Sequence, residues 1–111
     1  MRQANVYRNG ELVGHLTEKS RTEYVFAYDK TWFDNTAKPA VSLTLPKTRR
    51  EHQSKFLFPF FFNMLSEGVN RRLQSTQLRI DEQDSFGLLL ATAQYDTIGA
   101  ITVKPVEITN G

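Results

Sequence analysis

The only two imidazoles in the chain, His15 and His52, lie far apart, and neither has a second histidine or a carboxylate at the spacing a metal ion requires. They read as a strand residue and a loop residue. Ser66 and Glu67, close to Asn70, are the set nearest to acid–base chemistry, but a serine nucleophile needs a positioned base and neither histidine has a reason to be near. Turn chemistry accounts for them better. Asn9-Gly10-Glu11-Leu12-Val13-Gly14 has glycines spaced as in a phosphate loop, yet it lacks the strand-to-helix context and a Gly-Lys-Ser/Thr continuation. These are a hairpin glycine and a strand glycine. There is no His-Arg-Asp catalytic loop and no Asp-Phe-Gly sequence, so the expectation is a protein without enzymatic activity, cofactor or metal.

Two basic clusters, Lys47, Arg49, Arg50 and Lys55, then Arg71, Arg72 and Arg79, are interleaved with Glu51, Glu67, Asp81, Glu82 and Asp84. A mixed-charge surface follows, because no aromatic stands among the bases as stacking on nucleobases would need. Overall, 14 Lys and Arg against 12 Asp and Glu give a formal charge of +2, too little for a phosphate-binding stripe. Specific DNA binding is not expected.

The 111 residues fit one domain, 1–111, able to bury about 65% of its unfolded surface. Eight Phe, four Tyr and one Trp are too many large side chains for a disordered tail. With no cysteine there is neither a disulfide framework nor a thiolate site. Met1-Arg2-Gln3-Ala4-Asn5 lacks the apolar core of a signal peptide and no run is long enough to span a bilayer, so a cytoplasmic protein without membrane contact is expected.

The elements that must position any site come in a clear order. Asn9-Gly10 supplies the positive φ angles of a two-residue hairpin turn within Val6 to Val13. Thr22 to Tyr28 alternates, with Tyr24, Phe26 and Tyr28 on one face, after a turn at Lys19-Ser20-Arg21. Asp29 caps a short helical turn through Trp32 and Phe33. Val41 to Leu45 reads as a fourth strand and Pro46 to Ser54 as an exposed loop. Phe58, Phe61, Phe62 and Leu65 fall on one helical stripe that ends near Glu67-Gly68. Val69 to Ser75 forms a second short helix, and Asp84-Ser85 caps a third, running to Gln94, with Phe86, Leu89, Leu90 and Ala93 on its inner face. Ile101 and Val103 belong to a last strand. The architecture is therefore α+β, a small antiparallel sheet or partial barrel with a few short helices packed on it.

Taken together, these segments resemble the amino-terminal subdomain of HipA-type kinases. Val6 to Leu16 is similar to the family's strand, Asn-Gly turn and strand; Phe26, Tyr28 and Trp32 resemble its aromatic third strand and following turn. Ser42-Leu43-Thr44-Leu45-Pro46 is similar to its Ser-Leu-Ser-Leu-Pro segment. Phe61-Phe62-Asn63-Met64-Leu65-Ser66-Glu67-Gly68 resembles its Phe-Phe-Asp-Asn-Leu-Leu-Pro-Glu-Gly turn, Asp84 to Leu89 its Pro-Phe-Asp-Leu-Leu helix start, and Asp96 to Pro105 its closing strand. Ser66 and Ser85 depart from the pattern, each standing where relatives have proline.

In that family the module precedes a Ser/Thr kinase, and this sequence stops at Gly111 without a kinase core. The resemblance therefore implies a free-standing, HipS-like antitoxin of a HipBST-type system, which binds and neutralises a HipT-like Ser/Thr kinase toxin beside a HipB-like DNA-binding protein. The alternatives are a non-inhibitory scaffold subdomain of a HipA-type kinase and a nucleic-acid-binding module. The expected contact is the turn Met64, Ser66, Glu67, Gly68, Val69 and Asn70, exposed at its tip and docking at or near the kinase active site. The helices on either side should turn their apolar stripes inward, with Leu65 in the core.

Overall fold

The computed structural model describes residues 1–65, 68–93 and 100–106. Strands β1 (Arg2–Arg8) and β2 (Glu11–Ser20) meet at Asn9 and Gly10, whose φ angles of 50° and 80° are those the hairpin turn requires. Strand β3 (Glu23–Tyr28) begins one residue later than the sequence suggests, after a turn at Arg21 and Thr22, because β2 keeps its pairing through Ser20. Helix α1 (Lys30–Asp34) starts where Asp29 accepts from the Thr31 amide at 3.2 Å. Then come β4 (Glu51–Ser54), α2 (Pro59–Phe62), α3 (Gly68–Leu78), α4 (Ser85–Thr92) and β5 (Ile101–Pro105).

The sheet is open, five-stranded and antiparallel throughout, in the order β4-β3-β2-β1-β5. Alternation along β3 buries Tyr24, Phe26 and Tyr28, and α2 and α4 cover that face with Phe61, Phe86 and Leu89. Aromatic edges make the contacts, with ring centroids 5.7 Å apart for Phe26 and Phe61 and 6.2 Å for Tyr24 and Phe86. Gly14 is needed because it pairs with Val6 on one side and Tyr28 on the other, and a Cβ there would run into the Ala27 carbonyl oxygen. The closing strand is fixed at its start by Asn9 N–H to Ala100 O at 3.0 Å and by Val103 N–H to Ala93 O at 3.1 Å.

Further expectations need correction. Val41 to Leu45 is not a strand: Ser42 and Thr44 spend their hydroxyls on a local turn, which leaves Leu43 outside and Leu45 inside. The ladder partner of β3 is instead β4, inside the segment read as loop, with His52 paired to Phe26 although the strand has no apolar residue. The aromatic stripe does not run through one helix. Helix α2 has only four residues, Phe58 precedes it, and Phe62 points outward while Phe58, Phe61 and Leu65 are buried. Helix α3 is longer than the periodicity suggests, beginning at Gly68 and reaching Leu78. Helix α4 behaves as expected at its start, with Asp84 as its cap; Leu88 joins the buried set, and Gln94 lies outside the described residues.

Candidate protein-binding surface

Helix α3 buries no residue at all. Its half-buried side chains, Arg71, Gln74 and Ser75, are polar, and two of them bind the segment leading into α4. The Arg71 guanidinium donates to Glu82 O at 3.0 and 2.8 Å and to Ser85 Oγ at 2.9 Å, while Ser75 Oγ donates to Ile80 O. The helix is thus hung on hydrogen bonds, with its apolar side chains turned to solvent. Val69 is 68% exposed and Leu73, one turn on, is 53% exposed. The expectation that this helix turns an apolar stripe inward is overturned, because Arg71 and Ser75 hold the inner side.

Of the residues expected to form the contact, Met64 is half-buried against the core, and Gly68, Val69 and Asn70 are exposed. Gly68 opens the helix at φ 59°, a conformation that suits glycine. Ser66 and Glu67 lie outside the described residues. Leu65 is buried, as expected of the residue closing the aromatic cluster.

Sequence reasoning missed a concavity next to this helix. It has a volume of about 490 Å³ and is lined by Phe56, Leu57 and Phe62 together with Arg21 and Asp81. Phe56 is 77% exposed. Phe62 joins the concavity to α3, since the Arg71 guanidinium stands 5.6 Å from its ring centroid. The one available signal was the density of aromatics from Phe56 to Phe62, more than a single inner stripe can use.

An ion network also lines the concavity. Arg2 binds Glu18 Oε1 at 2.6 Å and Asp84 Oδ1 at 2.8 Å, and Tyr24 Oη donates to Glu18 Oε2 at 2.9 Å. Burial, followed by the bond to Glu18, pushes the Tyr24 phenol up to about 12. The Arg2 bond is the main cause that holds the Asp84 carboxyl below its ordinary 3.8, and the Gly87 amide adds to it. Such a carboxylate stabilises the fold above its ordinary pKa and loses that contribution as pH falls through its lower folded value. The variant Asp84→Asn keeps an oxygen for the α4 cap and removes the charge. Its stability deficit in urea titrations should be constant above about pH 5 and shrink steadily as pH falls below 3.8.

Several bases are already engaged by main-chain oxygens: Lys47 with Asn35 O and Lys38 O, and Arg50 with Tyr28 O. His15 bonds Asn5, and His52, on β4 rather than a loop, bonds Pro46 O. Among the described residues no three His, Asp or Glu side chains group to hold a metal ion, and no helix is long and apolar enough to cross a membrane. What the arrangement offers is an apolar and aromatic surface fixed by polar contacts behind it.

Comparison with known proteins gives this surface a context. The family model of the HipA N-terminal domain matches residues 4–104. A solved N-terminal domain of HipA toxin superposes with a TM-score of 0.71 and 29% identity, covering 96% of this chain and 94% of that one. A putative kinase of Sinorhizobium fredii is 29% identical over 96% of this chain, which spans only 25% of that kinase's length. An uncharacterized protein of Haemophilus influenzae is 31% identical, with 94% of this chain and 92% of that protein covered.

Proposed function

The chain belongs to the HipA N-terminal domain family, and we propose that it is a binding module that docks on a HipT-like Ser/Thr kinase and neutralises it, as a HipS-like antitoxin. The observation that carries this reading is the inverted helix α3, whose polar side chains face the domain while Val69 and Leu73 face outward just after the family's turn ends at Gly68. Apolar side chains held rigidly in water are what a protein partner covers, and a rigid domain loses little ordering entropy on binding. The Haemophilus relative supports the free-standing arrangement, since it is almost fully spanned by this chain. In this reading the chain supplies contacts and no chemistry, and the turn lies at or near the kinase's nucleotide cleft. Any contact with operator DNA runs through a HipB-like partner.

A second reading is favoured by the putative kinases, in which the matching domain is a quarter of a longer protein. There the domain is a scaffold joined to its kinase. Supplying the chain in trans separates the two. With a HipT-like kinase expressed alone, growth should arrest; co-expression of this chain should restore it, and the two should co-purify. Persistent arrest despite co-purification would favour the scaffold.

A further inference from the structure

The segment between α1 and β4 is irregular, yet its main chain is tied at many points. The Tyr28 hydroxyl closes the base of a loop, donating to Leu45 O and accepting from the Val41 amide at 3.1 Å. Trp32 Nε1 donates to Pro39 O at 2.9 Å, the Lys47 ammonium to Asn35 O and Lys38 O at 2.8 Å each, and His52 Nε2 bonds Pro46 O at 2.9 Å. Inside the loop, Leu45 N–H reaches Ser42 O at 3.1 Å, and the Ser42 hydroxyl takes the Thr44 amide at 3.2 Å. Leu45 is buried by this turn. Leu43, two residues before it, is left 99% exposed at the tip.

An irregular loop with one free leucine ordinarily folds that side chain back onto the domain, since burying a leucine is worth about 1.5–3 kcal/mol. Here the anchors come from β3, α1 and β4 and hold Leu43 away from the core. Leu43 is therefore preorganised for a partner that comes to it, at little cost in loop ordering. The charge that follows it in the same loop narrows the partner's chemistry. Lys47, Arg49 and Arg50 follow without an acid before Glu51, and the bonds of Lys47 and Arg50 to carbonyls leave their charges uncompensated by any carboxylate pair among the described residues. A cationic run a few residues along the chain from an apolar knob complements a pocket rimmed by carboxylates.

We propose that Leu43 is a second anchor, which enters an apolar, carboxylate-rimmed pocket on the kinase, separate from the α3 contact. The loop's hydrogen bonds, among the described residues, reach β3, α1 and β4 and not α3. This inference rests on the kinase-binding reading above.

The test uses the full chain and the HipT-like kinase of the growth assay, made catalytically inactive, with binding followed by calorimetry. Leu43→Asp, whose thermal unfolding should match the parent's because the side chain is fully exposed, should weaken binding at least tenfold, and Leu43→Met by less than threefold. Arg49→Glu should weaken it severalfold and flatten its salt dependence. Leu43→Asp binding like the parent, while the parent binds tightly, would overturn the second anchor and leave kinase binding intact. No binding by the parent would overturn the reading beneath it. If sedimentation shows a parent dimer that Leu43→Asp dissociates, the occupant is a second copy of this chain and the kinase pocket is ruled out.

Discussion

Phe61→Ala is expected to lower the unfolding free energy by about 3–5 kcal/mol, enough to remove most of the stability of a typical small domain. Phe61 is fully buried where α2 meets the sheet, with ring centroids 5.7 Å from Phe26, 5.2 Å from Phe60 and 6.4 Å from Phe58. Truncation removes the transfer free energy of a phenyl ring and leaves a void. The void cannot close easily, because α2 is four residues long and is fixed at its start by Phe58 O, which accepts from both the Phe61 and Phe62 amides at 3.0 Å. Its sequence neighbour supplies the control. Phe62 is turned outward, and Phe62→Ala should cost less than about 1 kcal/mol, the loss of a surface contact with Arg71. Guanidinium titrations of the two variants measure the contrast directly. Equal losses would mean that both phenylalanines share the inner stripe.

That pair also marks how far sequence reasoning reaches. The Asn9-Gly10 hairpin and the Asp29 and Asp84 caps are legible because their chemistry is local: a positive φ, or a carboxylate within reach of an amide two or three residues on. The alternation of Tyr24, Phe26 and Tyr28 is legible because one face of β3 is covered. Where tertiary context decides, the pattern misleads. Ser42-Leu43-Thr44-Leu45 alternates like a strand, but its hydroxyls bond locally and Leu43 has no sheet to face. Glu51 to Ser54 carries no strand signal and is drawn into the edge by main-chain pairing with β3. Spacing reports that a stripe exists without saying what covers it, and so it turns the apolar stripe of α3 inward although Leu73 faces water, whereas Val69 is exposed as its place in the expected contact requires. The turn itself is located through its resemblance to relatives, whereas the concavity beside it depends on residues far apart in sequence, from Arg2 to Asp84.

The largest functional effect is expected from the outward side of α3. The double variant Val69→Asp, Leu73→Asp should weaken kinase binding at least thirtyfold, on the order of 2 kcal/mol or more, and abolish rescue of growth. Both side chains lie on consecutive turns of a helix held by Arg71 and Ser75, so the partner meets them already in place. Charging two apolar contacts both removes their burial and strands carboxylates in a dry interface, which costs more than truncation to alanine. Folding should be unaffected, since neither side chain is buried and the carboxylate introduced in place of Val69 would fall in the helix's first turn, where a negative charge is favourable. Three controls isolate the effect. The thermal midpoint should stay within a few degrees of the parent's; Gln77→Asp, an exposed α3 residue near the other end, should bind normally; and Arg71→Ala should loosen the helix and weaken binding without altering the outer surface. If the double variant binds and rescues like the parent, α3 faces solvent in the complex and the contact has to lie elsewhere on the domain, with the concavity walled by Phe56 and Phe62 the next surface to vary.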